Sequence, residues 1–163
     1  MYNETGGLVN KPVRFFMCYM TIISTTSDVD LSKYNSDYVA FNNEMPGIPE
    51  EKLLKYPHKW YVESSHGCSC GFRHLMADNF QDLGFTEPVD WFPEEPEDIK
   101  ATLKLVKVFK EIISNGSKLE CIDAWDGDRN EPATLSGNVV VYLSQIPETA
   151  FRLIENYQHE ITN

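Results

Sequence analysis

The chain is short of cysteine, short of basic residues and without any long apolar run, and each shortage excludes something. Four cysteines in 163 residues are too few for a disulfide scaffold, so free thiols in a reducing, cytoplasmic setting are expected. Lys and Arg total 14 against 25 acids, a formal charge of -11. A surface of that sign repels phosphate backbones, so no nucleic-acid partner is expected, and a basic protein is the partner it suits. The apolar stretch "FFMCYMTII" (15–23) falls well short of the roughly 20 residues that span a bilayer, so no membrane association is expected. It follows Lys11 and Arg14 and faintly resembles a secretory signal, but its β-branched and aromatic content fits a buried strand better. There is no glycine-rich phosphate loop, no Gly-x-Ser-x-Gly elbow and no two-histidine helix motif.

What is present is core material: nine Phe, eight Tyr and three Trp in a chain 42% hydrophobic. That is enough to fold without staples. Residues 1–12 form a polar lead-in, and 13–163 one domain. "VRFFMCYMTIIST" (13–25) reads as a central strand, apolar on both faces. "YVAFN" (38–42), "KWYVESS" (59–65), "KLECIDAW" (118–125) and "GNVVVYL" (137–143) supply further strands. A short helix is expected after Pro49, ended by Pro57, and another from Arg73 to Gly84. A long one opens at Pro96 and closes at Gly116, with Ile99, Leu103, Val106 and Ile113 on one face and Lys100, Lys104 and Lys107 on the other. "PETAFRLIENYQ" (147–158) is expected to close the chain as a helix. The fold class is α/β or α+β, a single-domain sandwich: a mixed sheet of about four or five strands with two to four helices packed on it.

If the strands near residues 61 and 121 share a sheet and are joined across the long helix, they run parallel. The loops leaving them, "HGCSCGFRH" and "WDGDRNE", then emerge on one edge, where open α/β sheets place ligands.

The first loop carries the chemistry. His66, Cys68, Cys70 and His74 are a thiolate and imidazole set suited to zinc. Their spacing is unusual, since alternate residues of an extended strand lie about 6.6 Å apart and cannot converge in a straight row. The loop has to curl, which Gly67 and Gly71 permit. A second reading makes Cys68 or Cys70 a catalytic thiolate, activated by a helix N-terminus and by Arg73. A third is an ordinary glycine-rich turn, with small cysteines packed beneath it and Arg73 paired to a local acid. Arg73, Asp126 and Asp128 are the candidates for contacting a ligand, although Asp-Gly is also common turn chemistry. Cys18 and Cys121, within apolar strands, are expected to be core residues.

Two function classes follow: a protein with a Cys/His site that binds a transition metal, or a non-enzymatic acidic module, of inhibitor or immunity type, that neutralises a basic partner.

Overall fold

The computed structural model describes residues 18–64, 67–127 and 129–163. The lead-in, the first residues of the expected opening strand, His66 and Asp128 lie outside the described residues. The centre is a six-stranded sheet built from β1 (Tyr19–Thr25), β2 (Val39–Asn42), β3 (His58–Ser64), β5 (Leu119–Trp125), β6 (Gly137–Tyr142) and β8 (Tyr157–Thr162), in the order β2-β3-β1-β5-β8-β6. Within this sheet the β6–β8 pair is parallel and the other pairs are antiparallel. Two short strands, β4 (His74–Leu75) and β7 (Leu153–Ile154), pair in parallel beside it. The character is therefore mixed α+β.

β1 is as central as its two-sided hydrophobicity implies, because alternate residues enter different cores. Ile23 packs with Phe41, Val62 and Cys121 under α2 (Pro96–Ser114). Ile22 packs on the opposite face with Ile48, Leu54, Tyr61 and Ile122. β3 and β5 both run antiparallel to β1. They therefore run parallel to each other in one sheet, with β1 interposed, and their outgoing loops do leave the same edge.

α2 opens with Pro96, Glu97 and Asp98, where exposed N–H groups favour proline and acids. It stops at Gly116, whose φ of +80° is a left-handed conformation that costs glycine little. The buried face is rotated from the expected one. Leu105, Phe109 and Ile112 are its centre, while Ile99 and Leu103 are only half-buried. Lys100, Lys104 and Lys107 are exposed as expected.

Three expectations need correction. The sheet has six strands, not four or five. The sixth is β8, read from sequence as part of a closing helix. Phe151, Arg152, Leu153 and Ile154 are all wholly buried. The backbone of Leu153 and Ile154 pairs with β4, and Asn156, at φ +58°, turns the chain into β8. Tertiary partners on both sides outweigh a weak helical pattern. The helix expected from Arg73 begins only at Ala77: α1 spans Ala77–Leu83. Arg73 and His74 are drawn into the interior instead. Third, the short helix that opens at Pro49 is a 3₁₀ helix, Pro49–Leu53, and stops before reaching Pro57.

Arg73 and Arg152, 2% and 0% exposed, share the Glu94 carboxylate. Arg73 meets it through Nε and Nη2 at 2.8 and 2.6 Å, and Arg152 through the same pair at 3.3 and 3.0 Å. Their other N–H groups donate to the carbonyls of Gly84, Thr86, Thr149 and Phe151. Both guanidiniums hold Glu94 below the usual carboxylate range against the opposing effect of burial. This clamp fastens the 84–94 connection to the 149–152 segment.

Candidate functional site

The Cys-Ser-Cys loop is built around its middle residue. Ser69 is wholly buried. Its Oγ donates to Val62 O at 2.6 Å and accepts from Thr21 N at 2.7 Å. Its own N–H donates to Tyr19 O at 3.1 Å. These bonds sew the loop to β1 and β3. Gly67 supplies the curl at φ +73°, and Ser64 closes it: its Oγ donates to Cys68 O at 2.7 Å and accepts from Gly71 N at 3.0 Å. Cys68 and Cys70 therefore flank a fixed point.

Both meet a third thiol. The Sγ atoms of Cys18, Cys68 and Cys70 all lie within 4.8 Å of one another, and all three residues are half-buried. Cys18, expected to be core, stands at the edge just ahead of β1. With a Zn–S bond near 2.3 Å, tetrahedral geometry sets sulfurs about 3.8 Å apart, so a contraction of at most about 1 Å brings this trio to bonding geometry. Two backbone donors already point at sulfur: Tyr19 N–H to Cys70 at 3.3 Å and Cys70 N–H to Cys68 at 3.4 Å.

Without a metal, Cys18 and Cys70 are held as thiols. Burial pushes Cys70 up to about 12, reinforced by its neighbour Cys68 and only partly opposed by the Tyr19 N–H. Burial and the charge of Cys68 likewise raise Cys18. Among the described residues the electrostatic basis for an activated thiolate is missing: Cys70 does not precede a helix, and Arg73 is committed to Glu94. A divalent cation reverses that balance, since its charge displaces the thiol protons.

His74 does not join the thiols. Its Nδ1 lies 2.8 Å from Asp123 Oδ2 and its Nε2 lies 2.7 Å from Ser69 O. Both partners accept and neither donates, so both ring nitrogens carry protons and the ring is an imidazolium. Burial opposes the charge, but Asp123 and the two hydrogen bonds outweigh it and raise its pKa above the usual histidine value. Tyr19 stacks on the ring at 3.9 Å and 7°, a favourable contact for a cation. Asp123 is completed by Thr21 Oγ1, which donates to Oδ1 at 3.0 Å. The histidine therefore holds the loop that carries the thiols. It is also independent of Arg73, whose side chain leaves in another direction.

On the same edge lies a cleft of about 470 Å³ whose lining includes Asp126 and Arg129. The Asp126 N–H donates to Cys18 O at 2.8 Å, so cleft and thiols are adjoining. The candidate residues of the two loops thus divide. The thiols form one group, His74 supports them from beneath, Arg73 belongs to the clamp, Asp126 and Arg129 line the cleft, and His66 and Asp128 are outside the described residues.

Sequence inspection missed Cys18, Asp123 and Ser69. For Cys18 a signal existed: it stands at the start of the strand, where an edge loop can reach it. Asp123 and Ser69 carried none, being single polar residues whose partners are brought by strand register. The chain matches no family model, no curated protein and no solved structure.

Proposed function

We propose that this protein binds a soft metal ion, zinc in the first instance, through the thiolates of Cys18, Cys68 and Cys70. One observation carries the reading: three sulfurs from two segments far apart in sequence lie within 4.8 Å of one another. Soft thiolates select Zn(II) or Cu(I) among biological metals. Zinc leaves the trio with a net charge of about -1 and copper(I) about -2, and an already acidic chain tolerates the first better. Zinc's fourth position goes to water or to His66, the imidazole nearest in sequence. The backbone donors on Cys68 and Cys70, and the clamp on Ser69, are the supports that thiolate ligands need.

The test is titration of the reduced full-length protein with Co(II) and Zn(II), read by thiolate charge-transfer absorption, with Cu(I) in a parallel arm. One ion per chain, abolished in Cys18→Ser, Cys68→Ser and Cys70→Ser while far-ultraviolet circular dichroism is unchanged, supports the reading. Unaltered binding in Cys18→Ser overturns the three-thiolate site.

A further inference from the structure

We infer that the cleft beside the thiols is a binding site for a small organic cation, an ammonium or guanidinium group on an apolar or aromatic body. The inference does not depend on the metal. The cleft, at about 470 Å³, has the size of a small-molecule site, and its chemistry is one-signed. Among the described residues Glu50, Asp78, Asp126 and Glu155 line it against a single cation, Arg129. That cation is already committed: its Nη1 donates to Glu50 Oε1 at 2.5 Å and its Nη2 to Trp125 O at 2.9 Å. No cation among the described residues pairs with Asp78, Asp126 or Glu155.

Two observations beyond the acids point to a ligand. Glu50 lines the cleft while wholly buried, and its Oε2 finds no donor among the described residues. A buried carboxylate oxygen left unpartnered is costly, and an N–H donor from a ligand is what it lacks. The cleft also has an apolar wall: Trp125 lines it together with Met76, which is 58% exposed. The Trp125 indole N–H donates to Glu155. That bond fixes an aromatic surface next to a carboxylate, the pairing that recognises a cation with an apolar body. Glu155 is itself held above the usual carboxylate range, by burial first and then by Asp123 and Asp78, against a partial opposing effect of the nearby His74. A bound cation relieves that crowding.

The test uses 2-phenylethylamine, its neutral analogue 2-phenylethanol, and putrescine, a dication without an aromatic body. Binding is read by the NMR shift of the Trp125 indole N–H, assigned with Trp125→Phe. The amine is expected to saturate, with the alcohol at least about tenfold weaker, a difference of about 1.4 kcal/mol. Putrescine falls between them. Glu155→Gln, which keeps the oxygen that accepts from the indole, weakens the amine about fivefold and leaves the alcohol unchanged. Three results overturn the proposal: no saturable shift up to about 10 mM amine, equal binding of amine and alcohol, or an undiminished affinity in Glu155→Gln.

Discussion

Two buried histidines feel the charge of the same aspartate and carry opposite charge states. His74, at the sheet's edge beneath the thiols, faces two acceptors and is an imidazolium. His159, wholly buried in β8, accepts at Nε2 from Ile154 N–H at 3.0 Å, while its Nδ1 lies 3.3 Å from the Cys121 carbonyl. One donor and one acceptor fix a neutral tautomer. Burial lowers its pKa to about 4, against only a partial counter-effect from Asp123. Burial is common to both. What differs is whether a partner donates, and that decides which histidine holds a charged thread to the Cys-Ser-Cys loop and which is plain core.

The largest effect breaks the comparison at its centre. Asp123→Ala strands the imidazolium and loosens the ring that donates to Ser69 O. Loss of one partner of a buried pair costs about 3–5 kcal/mol, measured by urea unfolding, and the His74 C–H resonances should then titrate below the usual histidine pKa. A loss under about 1 kcal/mol would mean that the pair is not charged.

Next in size is the acid side of the stability profile. His159 stays neutral in the folded protein down to about pH 4, whereas the unfolded chain protonates it near pH 6.5. Stability therefore falls as pH drops between these values, by about 3 kcal/mol from this residue. His74 has the opposite sign: its raised pKa stabilises fully below about pH 6.5 and is lost as pH rises through the folded value. Comparing wild type with His159→Asn across pH 4–8 isolates the acid limb, and with His74→Gln the alkaline one. Parallel profiles for either variant would refute its assigned charge state.

Ser69→Ala tests the thread itself. It leaves Thr21 N–H and Val62 O unpartnered, at about 1–3 kcal/mol. It should also lower metal affinity about 10–100-fold, although no ligand is changed. Stability loss with metal affinity intact would make Ser69 a packing residue only. Tyr19→Leu is the mildest, removing the ring stacked on His74. The cost is about 0.5–1.5 kcal/mol with a small fall in the pKa of His74. Phe151, the tilted counterpart at 6.4 Å from His159, should leave that histidine's pKa unmoved when changed to Leu.

The sequence by itself determined the elements whose signal is local. Two-sided hydrophobicity placed β1 at the sheet's centre. The acids after Pro96 and the glycine at 116 bounded α2, and the unusual Cys-Ser-Cys spacing marked the loop. It also placed the two polar loops on one edge, through the parallel direction of β3 and β5. Only the tertiary structure decided the rest, because those features are made by residues distant in sequence. β7 and β8 are strands because β4 and β5 offer backbone partners where the local pattern suggests a helix. Arg73 and His74, adjacent in the chain, separate because Glu94 draws one and Asp123 the other. Cys18 joins Cys68 and Cys70 through the bonds that Ser69 makes to β1. Periodicity and caps act within a turn or two of chain, whereas a metal-sized cluster of sulfurs requires strand register, and no short stretch of residues encodes that.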